Sequence, residues 1–472
     1  MITPLLLGLV LPLPFWLWLR LRFGARGLGP TALLDLMPVV ALWVLVFAVT
    51  GRPLLSGLAA ALLPLAVGIA DEAKRRALDE QLVFTDISMV MAAVRYPSLY
   101  LPFLNWSAVL VVGLGGFVAI VVLLALEPPA DIGVLAPIAL FILAVVLLGI
   151  GALRMEPIAQ KLTLTRDPRA DAARFGPLAT FALHHAVARQ ERPARRAAMP
   201  PRPSFRTARG PAPHVILLQL ESFCDPRRLH PDMPLDMLPN WDTLSQSALT
   251  RGTLAVPGFG ANTNRTEFVV LTGAQDEALG LDRLNPYFAL ARRPVNSLAW
   301  ALRGADYETL CLHPFHGRFF GRNTVLPALG FHRFDALEAF ADAPRVGEHV
   351  ADTALGAKVV ERLYAADGPR LIYAISMQAH GPWPGPDPTA TWCGHIRDTD
   401  AMIGTIAEAC NLLERPMLLV AFGDHRPALP FARGGRDTDY VIWRSDLPGD
   451  GGLFDLDALQ LHRAIRAAAG LG

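Results

Sequence analysis

A hydroxyl, two carboxylates and an imidazole are spaced through the second half of this chain as a metal-assisted group-transfer site would need them. Thr263 stands at the corner of the small-residue stretch 258–268, where a glycine-containing turn opens into a short helix. Free backbone N–H groups and the positive end of the helix dipole favour an anion there. Taken alone, Thr263 has a plainer reading as an N-cap. Glu221 follows the apolar run 215–220, and Asp424-His425 follows 417–422 through Gly423. Glu221 has two readings, a ligand or a cap of the next helix, whereas an Asp-His pair entered from a buried strand through a glycine is a frequent metal-ligand arrangement. Together Glu221, Asp424, His425 and the Thr263 oxygen would make a tetrahedral site for one divalent ion. Mixed oxygen and nitrogen donors point to manganese first, with zinc or magnesium as alternatives. Such an ion would lower the pKa of the Thr263 hydroxyl and screen an anionic substrate from the incoming alkoxide.

Two more segments carry polar groups. His380 lies in Ser376-Met377-Gln378-Ala379-His380-Gly381-Pro382 and reads either as a turn histidine or as a site residue. The stretch 312–323 places His313, Phe315, His316, Arg318, Phe320 and Arg322 in a basic, aromatic loop, as expected for holding a phosphate ester and its organic part. The elements that must position these groups alternate between strand and helix. Strands are expected at 215–220, 307–312, 371–376, 417–422 and 440–444, and helices at 238–248, 294–303, 350–364, 396–413 and 455–468. That alternation predicts a layered α/β domain. Glu221, His313, His380 and Asp424-His425 each come just after a strand, where open α/β sheets place their sites.

The first half has a different character. Hydrophobic residues make up 52% of the chain, too many for an ordinary soluble enzyme. Apolar runs near 3–19, 31–50, 53–70, 103–126 and 132–153 are each long enough to span a bilayer and predict five helices. Trp16, Trp18 and Trp106 lie near span ends, as interfacial rings do. The stretch 71–103, with Lys74, Arg75, Arg76, Arg95 and the Leu82-Val83-Phe84 patch, has two readings, an amphipathic helix on the membrane surface or a solvated charged loop. The arginines at 20, 22 and 26 and the basic run 74–76 would be cytoplasmic by the positive-inside rule, on the same side as the second half; as patches against anionic headgroups they would carry no such meaning. Residues 154–213 shift in composition: a helix is expected at 169–189 with His184 and His185 as surface histidines, then an extended Pro/Arg-rich linker at 191–213. Net charge of +1 selects no partner, and no nucleic-acid surface is expected. The cysteines at 224, 311, 393 and 410 match no zinc spacing. The domain reading is therefore a five-helix transmembrane anchor at 1–153, a juxtamembrane helix and linker at 154–213, and a catalytic domain at 214–472.

The second half resembles the sulfatase-like transferases of the alkaline phosphatase superfamily, in the lipoteichoic acid synthase and phosphoglycerol transferase branch. The matching segments are Gln219-Leu220-Glu221-Ser222-Phe223, Asn262-Thr263-Asn264-Arg265-Thr266-Glu267-Phe268, Leu271-Thr272-Gly273, the loop 313–323, Ala379-His380-Gly381-Pro382 and Gly423-Asp424-His425-Arg426-Pro427. The resemblance implies an N-terminal transmembrane domain followed by an α/β sulfatase-like domain with a central mixed sheet. It implies Glu221, Asp424 and His425 as metal ligands and Thr263 as nucleophile and fourth ligand. His380 and Arg322 would hold the phosphoryl or headgroup and steady the leaving group, with His313 in a family histidine position. Phe315 and Phe320 replace an acidic residue and a tryptophan at the headgroup positions. The implied reaction is ping-pong: Thr263 takes a phosphoglycerol headgroup from phosphatidylglycerol, and an acceptor hydroxyl on a glycan displaces it. The implied place is the bacterial plasma membrane, with the catalytic domain outside. The alternatives are a phosphoethanolamine transferase, a membrane-tethered phosphodiesterase or sulfatase-like hydrolase, and a catalytically dead sensor. A true sulfatase would carry Cys or Ser where this chain has Thr263.

Overall fold

Proline decides where the first apolar run breaks. Expected as one span, it forms two helices, Ile2–Val10 and Leu13–Arg22, because Pro12 and Pro14 cannot donate to the preceding turn. The freed Gly8 carbonyl accepts instead from Trp43 Nε1 at 2.9 Å. This computed structural model describes residues 2–131, 133, 135–199, 212–290 and 293–471. The chain falls into two compact units, Met1–Glu191 and Arg192–Gly472.

In the first unit the segments Ile2–Arg22, Pro30–Thr50, Pro53–Leu78 and Trp106–Leu126 are long and apolar enough to cross a membrane, by length and composition. A fifth helix, Leu135–Lys161, carries the shorter apolar stretch Leu135–Gly149. The third helix runs past its expected end to Leu78 and takes Lys74, Arg75 and Arg76 with it, so they do not belong to a surface helix of their own. The short helix Ile87–Arg95 does leave Ile87, Val90 and Val94 exposed. Much of the basic charge expected against lipid is bound inside the unit. Arg20 pairs with buried Asp35, Arg22 and Arg75 with buried Asp71, and Lys74 with Asp86. The helix expected at 169–189 is two, Pro168–Phe175 and Pro177–Ala198, divided at Gly176, whose φ of +93° suits glycine. Asp35 Oδ1 accepts from Ala179 N at 3.0 Å and fixes the second of them in the unit. His184 is not a surface histidine; it is buried, with Nε2 2.7 Å from Asp171 Oδ2. The helix also occupies 191–198, where extended linker was expected, and 200–211 lies outside the described residues.

The second unit is built on an eight-stranded mixed sheet. Its strands are β1 His214–Leu220, β2 Thr250–Ala255, β3 Glu308–Leu312, β4 Arg333–Asp335, β7 Arg370–Ile375, β8 Met417–Gly423, β9 Asp437–Arg444 and β10 Leu456–Asp457; a separate hairpin pairs β5 Arg345–Val346 with β6 His349–Val350. The spatial order is β10-β2-β9-β8-β1-β7-β3-β4. β8, β1, β7, β3 and β4 run parallel, and β9 is antiparallel to both β8 and β2. Alternation along each central strand divides its side chains between two apolar layers. Val215 and Leu217 join Leu418, Val420 and Phe422 in one layer, and Ile216 and Leu218 join Leu419 and Ala421 in the other. β2, β4 and β10 had no expectation. β4 and β10 are only three and two residues long, and β2 is mostly half-exposed, so none reads as a buried apolar run. The helix expected at 294–303 begins only at Leu298, capped by Ser297, and that expected at 396–413 begins earlier, at Pro388, capped by Asp387.

Candidate active site

Strand register brings the proposed ligands together. β1 and β8 pair in parallel with Leu220 opposite Gly423, so Glu221 and Asp424 leave neighbouring strand ends side by side. Gly423 is required at that crossing, since a Cβ there would lie 1.9 Å from the Phe223 carbonyl oxygen. β7 lies on the other side of β1 and continues into the loop carrying His380, and β3 beyond it ends at His313. Four adjacent strands thus deliver His313, His380, Glu221 and Asp424-His425 to one carboxyl edge.

Glu221, Asp424 and His425 each offer one donor atom within 4.8 Å of the others, and all three are buried. His425 Nε2 lies 3.3 Å from Glu221 Oε1 and 3.6 Å from Asp424 Oδ2, yet Nε2 and Oδ2 have no hydrogen-bond partner among the described residues. Three other polar atoms of the group are held by hydrogen bonds. His425 Nδ1 donates to the Arg426 carbonyl at 3.0 Å, which turns Nε2 toward the two carboxylates. Asp424 Oδ1 accepts from the Ser222 and His425 amides at 2.9 and 2.8 Å, and Ser222 Oγ donates to Glu221 Oε1 at 2.9 Å. Buried polar atoms without partners are costly, and a divalent cation is what two carboxylates and a neutral imidazole would satisfy. The residues present therefore fit such an ion.

The charge state of the trio agrees. Burial and the neighbouring Glu221 carboxylate push the Asp424 carboxyl up. Burial would raise Glu221 too, but His380 and His425 hold it below the ordinary range. Burial works against the His425 cation, and Asp424 and Glu221 outweigh it, raising His425 to about 9. Below that value the trio holds a proton that a metal ion must displace. Divalent-metal affinity of the purified protein should therefore rise as pH goes from 6 to 8, by about tenfold per unit for one displaced proton. Competition titrations at the two pH values measure this; equal affinities would contradict it.

Thr263 begins the helix Thr263–Thr272, after Asn262 in the left-handed region at φ +65°. Two bonds hold this corner to the Asp424 loop. Gly260 N donates to the Arg426 carbonyl at 3.0 Å, and Thr266 Oγ1 donates to the Asp424 carbonyl at 2.8 Å. Thr266 is three residues beyond Thr263 and so shares its helix face.

The basic loop is organised differently. Arg322 is buried: Nη2 and Nε donate to the two Glu267 oxygens at 2.7 and 3.3 Å, and Nη1 meets His313 Nε2 at 3.1 Å. His313 Nδ1 faces the Ile375 carbonyl at 3.1 Å, and burial together with the Arg322 charge holds this imidazole neutral. Tyr287 donates to Glu267 Oε1 from the other side. Phe320, at φ +52°, places its ring 5.4 Å from the Arg322 guanidinium carbon. Phe315 is half-buried, its ring within 5.1–6.1 Å of the His313, His316, Phe319 and His349 rings. His380 Nδ1 faces the Gly381 carbonyl, ahead of a cis Gly381–Pro382 bond.

The family model for sulfatases matches residues 213–450, just over half of the chain. The chain belongs to the sulfatase family. Among relatives of this sulfatase-family chain, the capsular polysaccharide biosynthesis protein RkpI of Rhizobium meliloti strain 1021 is 29% identical over 440 residues, covering 86% of the chain and 80% of RkpI. A second Rhizobium meliloti protein, named for cyclic beta-1,2-glucan modification, is 31% identical over 249 residues, 48% of the chain; the match spans 38% of that longer relative. Among solved structures, the Streptococcus pyogenes phosphoglycerol transferase GacH in complex with sn-glycerol-1-phosphate aligns with TM-score 0.47 and 21% identity over 61% of this chain and 81% of that one.

Three residues of this sulfatase-family site were not singled out by sequence. Ser222, at φ +51°, bonds both carboxylates. Ser376 Oγ accepts from the Glu221 amide at 2.9 Å. Glu267 neutralises Arg322. All three lie inside segments already singled out, but only the fold shows what their side chains meet.

Proposed function

We propose that this protein is a membrane-bound, metal-dependent phosphotransferase that moves a phosphoglycerol headgroup from phosphatidylglycerol to a glycan through a phospho-Thr263 intermediate. The observation that carries the reading is the pairing of orphaned Asp424 Oδ2 and His425 Nε2 with a helix start tied to the same loop by Thr266. Glu221, Asp424, His425 and the Thr263 oxygen would hold the ion, manganese or otherwise, which when bound supplies Lewis-acid stabilisation of phosphoryl charge. The protein's own groups do the remainder. The positive end of the Thr263 helix dipole faces the equatorial phosphoryl oxygens. Thr263 Oγ1 attacks phosphorus, the bond to the diacylglycerol oxygen breaks, and His380 steadies that leaving group. The acceptor hydroxyl then attacks the same phosphorus and Thr263 Oγ1 leaves. Arg322 and His313, bound to each other, form the floor of the headgroup pocket, and Phe315 and Phe320 its apolar wall.

A glycan acceptor is supported by the names of both relatives, which refer to capsular polysaccharide and to cyclic glucan. The apolar N-terminal helices would keep the site beside its lipid donor, with the catalytic unit on the extracytoplasmic side. The deciding measurement is the intact mass of the full-length protein after incubation with phosphatidylglycerol vesicles and Mn2+. The expected result is a glycerol phosphate adduct mapping to Thr263. An adduct of phosphoethanolamine mass, formed only from the corresponding lipid, would instead assign the phosphoethanolamine branch, and lipid cleavage with no adduct would assign a hydrolase without this intermediate.

A further inference from the structure

The β5–β6 hairpin lies far in sequence from every motif of the site, yet it brings one imidazole to the site's edge. The ring of His349, on β6, lies 5.9 Å from the His380 ring at an interplanar angle of 67°, and 6.1 Å from the Phe315 ring at 65°. His380 follows β7, the strand beside β1, so its ring contact brings His349 to the sheet edge that carries Glu221. The position of His349 is enforced. Ala351 N donates to the Pro344 carbonyl and closes the hairpin. Next to it, Asp352 N donates to Gln378 Oε1 at 2.8 Å, and Gln378 N returns to Asp352 Oδ1 at 3.3 Å. Gln378 is two residues before His380, its carbonyl faces His395 Nδ1 at 2.6 Å, and Thr399 Oγ1 donates to Asp352 Oδ2 at 2.7 Å. A hairpin needed only as a surface turn would not require this buried lacing to the His380 loop.

We propose that His349 is a further substrate-binding residue, contacting a hydroxyl of the donor headgroup beyond the phosphorus, with Phe315 packing against the carbon skeleton of the same group. This rests on the phosphotransfer reading given above. Burial and the adjacent His380 hold His349 near pKa 3, so it meets the headgroup as a neutral donor and acceptor rather than as a cation. A neutral imidazole beside a phenyl ring suits a small polyol, which presents hydroxyls on one side and C–H groups on the other.

The test compares two donors, phosphatidylglycerol and phosphatidylmethanol, whose headgroups differ in their hydroxyls. Full-length wild-type protein, His349→Ala and His349→Asn are incubated with vesicles of each donor and Mn2+, and the rate of Thr263 adduct formation is followed by mass spectrometry. Metal content and unfolding temperature are measured in parallel. The expected result is a 10- to 100-fold slower adduct formation from phosphatidylglycerol in His349→Ala, a preference for glycerol over methyl reduced by at least tenfold, and partial recovery in His349→Asn. Adduct formation from phosphatidylglycerol at the wild-type rate would overturn the proposal. So would an equal loss on both donors, since that would make His349 structural. Wild-type protein that forms no Thr263 adduct from either donor would overturn the phosphotransfer reading and the headgroup role with it.

Discussion

Replacing Thr263 by alanine is expected to abolish the covalent adduct and to lower headgroup release from phosphatidylglycerol by roughly 10³-fold or more, the scale seen when an enzyme's nucleophile is removed. The fold should survive the change. Thr263 is the first residue of its helix and follows Asn262, so alanine fits its backbone, and the bonds of Gly260 and Thr266 to the Asp424 loop do not involve its side chain. Unfolding temperature should therefore stay close to wild type while turnover disappears. Thr263→Ser should keep measurable adduct formation, because it retains the oxygen and loses only a methyl group. If Thr263→Ala releases labelled headgroup at the wild-type rate, the hydroxyl is only a helix-start residue and the nucleophile lies elsewhere.

The second large effect is on stability. Glu267→Ala should destabilise the catalytic unit by about 3–5 kcal/mol, because it leaves the Arg322 guanidinium buried without its counter-charge. Glu267 is fully buried, Arg322 nearly so, and Glu267 accepts from both Arg322 and Tyr287. The alanine variant would orphan both donors, together with the His313 contact that Arg322 maintains at 3.1 Å. Chemical unfolding of the full-length protein in detergent, followed by a probe in the catalytic unit, measures the change. A Glu267→Ala/Arg322→Met double variant should recover part of the loss, since it removes the stranded charge. A loss below about 1 kcal/mol in Glu267→Ala would show that the pair is solvated in solution.

Several features of the site were legible in the sequence for a local reason. Glu221 and Asp424-His425 follow largely apolar runs, the first broken only by Gln219, and such runs are strands buried on both faces whose ends open at a sheet edge. His313 and His380 are found the same way. The apolar helices of the first half are legible from length and hydropathy alone, because a bilayer sets a minimum length. Their breaks were harder to see: Pro12 ends a helix, yet Pro38 and Pro64 remain inside theirs. The proline itself does not say whether a neighbour such as Trp43 will donate to the freed carbonyl.

The sequence by itself determined which groups stand at strand ends and at a helix start, two carboxylates, an imidazole and a hydroxyl, and that the first half carries apolar helices. Only the tertiary structure decided their association. The Leu220–Gly423 register sets Glu221 beside Asp424, and no local pattern encodes which strands become neighbours. Tertiary structure also decided that the Arg322 charge is met by Glu267, 55 positions away, and that His349 is brought to His380 by a hairpin outside every motif. Those contacts depend on how separate elements pack, which residue type and spacing along one chain do not specify.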